Sequence, residues 1–182
     1  YLQAMRQVIH NEFPEEKTEI LEGKALSEEF IKKAEEIAAA ENIKISIEKC
    51  AEKCKIKGNR KELLRAWENL VGNAVTYTDK EKGIYVFTEI KERDGNSFLL
   101  AGVSDYGQGF SKEDLLHGTE RFYRGDKSRH GREHQGLGLF IASNIVKAQG
   151  GSLVLKNSEE TGGGQTQLWI LTEGEKEGQR DE

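Results

Sequence analysis

Apolar residues recur along this chain at two spacings, near 3.6 and near 2, and the switches between them lay out its elements. Residues 1–22 carry Leu2, Met5, Val8, Ile9 and Phe13 at an approximate helical spacing that Pro14 interrupts. Phe30, Ile31, Ala34, Ile37 and Ala38 then share one helix face, with Ser27 as expected N-cap and an end near Asn42. Ile43 to Ile47 alternates as a strand, and Cys54 to Gly58 is the expected hairpin partner. Asn59 caps a long helix whose apolar face holds Leu63, Leu64, Trp67, Leu70, Val71, Ala74 and Val75. Two strands, 84–93 and 97–105, are joined by the turn Asp94-Gly95-Asn96. A short helix over 111–118 starts at Ser111, and 119–135 has no sustained period and reads as a mobile loop. A helix over 138–149 follows, then strands 152–156 and 165–171 around the turn Thr161-Gly162-Gly163-Gly164. Residues 173–182 are charged and expected to fray. This order implies an α/β fold, a two-layer sandwich with helices on one face of a mixed sheet.

Candidate chemistry gathers in the second half. Asp105 ends a strand and is followed by Gly107 and Gly109; a carboxylate there can accept a hydrogen bond from an exocyclic amine such as that of adenine. The glycines allow close backbone approach to a ligand. Gly136-Leu137-Gly138-Leu139 opens the later helix, and a helix N-terminus suits phosphate. Between them lie Arg121, Arg124, Lys127, Arg129 and Arg132. Asn69 and Asn73, four apart, project from one side of the long helix. They are either polar residues at the edge of the buried face, or a Mg²⁺ ligand (Asn73) with a phosphate neighbour (Asn69).

Composition narrows the partners. The 182 residues are 36% apolar and 32% charged, in the range of a soluble globular domain. A net charge of −5 gives no reason to expect nucleic acid, so the local basic cluster better suits a small polyanion. No signal peptide and no bilayer-length apolar run are present. Cys50 and Cys54 lack a companion pair and read as free thiols of a cytoplasmic protein. His117, His130 and His134 read as solvated residues in or beside the loop. A first residue other than methionine suggests a fragment of a longer protein.

The ordered motifs resemble those of sensor histidine kinases. Glu68 to Thr78 is similar to the N box, Asp105-x-Gly107-x-Gly109 to the G1 box, Glu120 to Gly125 to the F box, and Gly136 to Leu139 to the G2 box. Gly164-Gln165-Thr166 resembles the closing motif. The resemblance covers roughly residues 25–172 and implies the Bergerat-type ATP-binding fold of the GHKL superfamily. It implies that Asp105 holds the adenine amine, with Gly107 and Gly109 shaping that wall and Thr166 supporting Asp105 directly or through water. Asn73 would ligate Mg²⁺ with Asn69 alongside; Tyr77 would pack near the nucleotide. Phe122 belongs to the F box of the lid, from which Arg124 and Lys127 would reach the phosphates. Gly136, Leu137 and Gly138 would line the triphosphate. Asn69, Arg124 and Lys127 are the expected catalytic positions.

The same resemblance makes residues 1–24 a remnant of a helical dimerisation region or linker, 25–172 the catalytic domain and 173–182 a tail. It implies ATP and Mg²⁺, a dimerisation and phospho-acceptor domain, a response regulator and a membrane-anchored dimeric parent, with this portion itself off the membrane. Three departures stand out. Thr76 replaces the usual basic residue, His134-Gln135 replaces a Gly-Thr pair, and no clear phospho-acceptor motif is present, His10 lying at the wrong spacing. In related hydrolytic ATPases a glutamate stands where this chain has Asn69, which cannot act as a general base. Glu68 points about 100° away around the helix. Slow hydrolysis and transfer to histidine are the expectation; the alternatives are an anti-sigma-type serine kinase or ATPase and a non-catalytic nucleotide-sensing module.

Overall fold

The computed structural model describes residues 18–49, 53–121, 123 and 137–174. Among these, seven strands and four helices form. They are β1 (Glu19–Glu22), α1 (Gly23–Ala40), β2 (Ile45–Lys49), β3 (Lys55–Gly58), α2 (Arg60–Tyr77), β4 (Ile84–Arg93), β5 (Asn96–Asp105), α3 (Lys112–His117), α4 (Gly138–Ala148), β6 (Ser152–Asn157) and β7 (Gly164–Leu171).

Five strands make one sheet in the order β2-β4-β5-β7-β6. β2 runs parallel to β4 and the other pairs are antiparallel, so the sheet is mixed. Period-two alternation assigns its faces. Ile84 and Val86, Leu99, Ala101 and Val103, and Leu168 and Ile170 face the helices and belong to the main core. Against them pack Phe30 and Ala34 of α1, Leu63, Trp67, Leu70 and Val71 of α2, and Ala142, Ile145 and Val146 of α4. The expected two-layer sandwich with helices on one face is what forms. The Trp67 indole stacks on Phe30 at 5.3 Å and donates to the Phe30 carbonyl at 2.7 Å, locking α1 to α2.

On the opposite face the polar groups satisfy one another. Trp169 Nε1 donates to Gln167 Oε1, Gln167 Nε2 to Gln165 Oε1, and Gln165 Nε2 to Ser104 Oγ. The Arg93 guanidinium lies 4.4 Å from the centroid of the Trp169 ring.

Three local expectations are corrected. β3 pairs with β1, antiparallel, in a separate two-stranded sheet, and does not form a hairpin with β2. β2 instead finds β4, whose apolar face extends its own: Ile45 lies opposite Ile84 and Ile47 opposite Val86. Residues 19–22, expected to continue a helical pattern, are strand, and residues 1–17 lie outside the described ones. Ser27 is no cap: α1 starts at Gly23, and Ser27 is buried in the helix with its hydroxyl unpartnered. The expected caps at Asn59 and Ser111 do form, the first accepting from the Glu62 N–H and the second closing a capping box with Asp114. The 94–96 connection turns at Asp94 and Gly95, both at positive φ, the hand that suits a tight hairpin. At the C-terminal end, the Glu173 N–H donates to Lys55 O, so the sheet's last residues are tied to β3. Residues 175–182 lie outside the described ones.

Candidate nucleotide-binding site

The alternation that points Leu99, Ala101 and Val103 of β5 into the core places Asp105, the next residue in that row, beneath the helix layer. Its side chain is 5% exposed. Oδ1 accepts from the Gly107 N–H at 2.8 Å and the Gly164 N–H at 3.0 Å. Oδ2 accepts no hydrogen bond among the described residues and remains available to a donor. Burial pushes the Asp105 carboxyl above its ordinary range, and the Gly107 and Gly164 N–H groups oppose that shift.

Glycines build the wall around this carboxylate. A Cβ on Gly107 would lie 2.3 Å from the Tyr77 carbonyl, and one on Gly163 would lie 2.1 Å from the Asp105 carbonyl and 2.5 Å from Oδ1. One on Gly164 would meet Phe110 and Asp105 Oδ2 at about 3 Å. Only backbone without side chains fits there. Gly109, at φ +77°, turns the chain toward β6. Asn157 closes that turn, accepting from the Phe110 N–H at 2.6 Å and donating to the Phe110 carbonyl at 3.0 Å.

Thr166 shares the face of Asp105, but the expected direct hydrogen bond does not form. β7 pairs Thr166 with Val103, two residues before Asp105 and about 7 Å along the strand. The same register brings Gly164 opposite Asp105, which is why backbone rather than the threonine holds the carboxylate. The Thr166 hydroxyl is buried without a partner, an orphaned polar group on the same sheet face as Asp105.

α2 supplies the other wall. Asn69, Asn73 and Tyr77 stand four apart along one stripe. Asn69 Nδ2 donates to the Arg65 carbonyl at 2.9 Å, and its Oδ1 lies 3.1 Å from where a Cβ of Gly138 would sit. Asn69 therefore touches the first turn of α4, next to the N–H groups that lack an intrahelical acceptor. The Asn73 side chain is half-buried and bonds to nothing among the described residues. Tyr77 is 44% exposed at the rim. Thr76 turns its hydroxyl back to the Gly72 carbonyl at 2.8 Å.

The structure thus brings Asp105, Gly107, Gly109, Tyr77 and Thr166 together at one end, and Asn69, Gly138 and the N-capping Leu137 at the other. Phe122, Arg124, Lys127 and Gly136 lie outside the described residues, as do His10, His130 and His134. His117 is exposed beside the loop, as expected, at the end of α3; its Nδ1 lies 2.7 Å from Glu120 Oε1, an acceptor that raises its pKa. Sequence reasoning missed Gly163 and Asn157, and gave Gly164 no role of its own. The glycine run at 162–164 was visible, but its place opposite Asp105 depends on strand register; nothing in the sequence marks Asn157.

The site fits an adenine nucleotide on its own terms. It offers an acceptor with a free oxygen, an orphaned hydroxyl beside it, side-chain-free walls, an unpartnered amide and an open helix start. The chain is similar to several known proteins. The sensor protein SphS of Synechococcus elongatus is 37% identical over 115 residues, covering 59% of this chain and 27% of that protein. The sensor histidine kinase SpaK of Bacillus subtilis is 37% identical over 133 residues, covering 73% of this chain and 28% of that protein. The chain thus spans little more than a quarter of the length of these relatives. The mycobacterial sensor histidine kinase MprB shares the fold with a TM-score of 0.68 at 20% identity, covering 85% of this chain and 98% of that one. Full-length ShkA, solved in complex with AMPPNP, superposes with a TM-score of 0.64 at 21% identity, covering 86% of this chain and 31% of that one. The family of histidine kinase-, DNA gyrase B- and HSP90-like ATPases matches residues 58–174, and this chain belongs to it, in the form that sensor histidine kinases carry.

Proposed function

We propose that this domain binds ATP with Mg²⁺ and presents the γ-phosphate to a histidine on a dimerisation domain of the same protein, from which a response regulator is phosphorylated. The observation that supports this best is the pairing of a buried, half-satisfied carboxylate at 105 with the unpartnered amide at 73. Asp105 Oδ2 accepts the adenine amine while Gly107 and Gly164 hold Oδ1. Asn73 Oδ1 would serve as an oxygen ligand for Mg²⁺, which when bound would neutralise phosphate charge. The start of α4 offers N–H groups to the phosphates, and Arg124 and Lys127 supply the positive charge that Thr76 does not. Phosphoryl transfer depends mainly on such positioning and charge compensation. Asn69 cannot take a proton from water, which favours transfer over hydrolysis and argues against the hydrolytic branches of the superfamily. The parent protein is a membrane-anchored dimer in this reading, although no helix among the described residues is long and apolar enough to cross a membrane.

One observation favours a second reading, a domain that senses nucleotide without transferring phosphate: the Thr76 hydroxyl is committed to its own helix and puts no cation at that place. Two measurements separate them. An N-terminally longer form incubated with labelled ATP should acquire acid-labile phosphate on histidine. In a fluorescent-nucleotide titration, Asn73→Ala should weaken Mg²⁺-dependent binding by roughly tenfold or more, because a ligand to the ion is lost. Binding indifferent to both Mg²⁺ and Asn73 would remove the kinase reading.

A further inference from the structure

We propose that Thr78 is a positioning residue that sets the adenine-binding acid against the metal-binding helix; this rests on the nucleotide reading given above. Thr78 is the C-cap of α2, its own N–H donating to the Ala74 carbonyl at 3.0 Å. Its buried hydroxyl reaches two other elements. It accepts from the Tyr106 N–H at 3.0 Å, one residue past Asp105, and it donates to the Gly83 carbonyl immediately before β4. Gly83 precedes Ile84, the residue that pairs with Asp105 across β4 and β5. One oxygen therefore joins the end of the helix carrying Asn69 and Asn73, the start of β4, and the backbone that leaves Asp105.

The neighbouring contacts make this junction stiff. Gly107 sits so close to the Tyr77 carbonyl that no Cβ fits between them, and the 79–83 turn closes through the Lys82 and Gly83 N–H groups onto Asp79 O. A nucleotide spans both walls, so its affinity depends on their spacing, and a shift of a few tenths of an ångström at this junction misplaces one end when the other is engaged. Thr78 touches neither ligand nor metal in this account. It acts through Asp105 and the α2 stripe. Valine has nearly the same shape but leaves the Tyr106 N–H and the Gly83 carbonyl unsatisfied; serine keeps both bonds.

The test measures ATP·Mg²⁺ affinity by calorimetry on the whole chain, well below its melting temperature, for Thr78→Val, Thr78→Ser, Thr88→Val and Asp105→Asn. Thr88 is a buried threonine of β4 whose hydroxyl has no partner, so its valine variant controls for burial alone. Thr78→Val should weaken binding about tenfold, the scale of one or two lost buried hydrogen bonds. Thr78→Ser and Thr88→Val should bind as wild type. Because Thr78 acts through the acid loop, adding Thr78→Val to Asp105→Asn should cost much less than it does alone. A folded Thr78→Val with wild-type affinity, a strictly additive double variant, or a Thr78→Ser that loses affinity would each overturn the proposal. Should Thr78→Val fail to fold, Thr78→Ala is read in its place and the serine arm still decides. Wild-type affinity in Asp105→Asn is a different failure, since it removes the pocket itself.

Discussion

Asp105 carries opposing demands of function and stability on one side chain. In the proposed role its carboxylate accepts from a ligand amine in the ionised form, yet burial disfavours the charge and raises its pKa above the ordinary value. A carboxyl whose folded pKa is raised binds its proton more tightly in the native state than in the unfolded one. Stability from this group is therefore fully present below the unfolded pKa and is lost as pH rises through the folded pKa, so at neutral pH the charged Asp105 is a net cost. Asp105→Asn keeps an oxygen for the Gly107 and Gly164 N–H groups and removes the charge. It should unfold at a higher temperature than wild type at pH 7.5, with the gain disappearing on acidification past the aspartate's titration. The same variant should bind ATP some 10- to 100-fold more weakly, because the amide cannot supply a charged acceptor. Thermal scans from pH 4 to 8 beside a nucleotide titration check both halves. At this scale the sequence was largely legible: an acid ending an apolar row, with glycines two and four residues on, announces both the carboxylate and the bare wall. What it could not announce was the second hydrogen bond to Oδ1, which comes from a residue 59 positions later.

The helix α2 is the element whose position most of the site inherits, and its sequence reads cleanly. Asn59 caps it, Leu63, Trp67, Leu70, Val71 and Ala74 bury one face, and Asn69, Asn73 and Tyr77 fall along the adjoining stripe. These are local patterns of capping and 3.6-residue spacing, which short stretches of sequence specify by themselves. Its ends are held by different means. At the N-terminus, Asn59 Oδ1 accepts from the Glu62 N–H, and the Asn59 N–H donates to Gln149 at the end of α4. At the C-terminus the Thr78 junction ties it to β4 and β5. Asn59→Ala removes only the side-chain cap, three turns from Asn69. It should lower stability by about 1 kcal/mol and leave nucleotide affinity within twofold of wild type. Chemical denaturation and titration of the same sample distinguish this from a cap that also aligns the site. The partner of β3, by contrast, was illegible. Cys54 to Gly58 alternates as well as any edge strand, and proximity in sequence suggested β2 as its partner. β3 chose β1, a four-residue strand hidden at the end of a helix-like pattern, because Leu21 and Ile56 lie opposite one another and together close the core beside α1.

At the scale of the whole molecule, the two-stranded sheet decides where the folding unit begins. The sequence resemblance started near residue 25, which would place β1 and the first two residues of α1 in a separate linker. The contacts run the other way. Leu21 is buried in the same core as Leu26, Phe30 and Trp67, and the Gly23 N–H donates to the Cys54 carbonyl at 2.8 Å. No Cβ would fit at Gly23 against the Cys54 side chain, so the start of α1 is built into the β1–β3 sheet. That sheet in turn reaches the far end of the main one, where Lys55 O accepts from the Glu173 N–H. The proposed nucleotide pocket lies elsewhere, between α2, β5, β7 and the start of α4. Stability and binding should therefore separate. A form beginning at residue 25 loses Leu21 from the core and uncovers Ile56, otherwise 1% exposed, together with the β3 edge. Exposing apolar side chains of this size costs about 1.5–3 kcal/mol each. Compared with a form beginning at residue 18, it should lose about 2–4 kcal/mol in urea denaturation. At low temperature, where both remain folded, ATP affinity should be the same. Equal stability of the two forms would return β1 to the linker; unequal affinity would show that the small sheet also shapes the pocket through the far end of α2, where Gly58 meets the Asn59 cap.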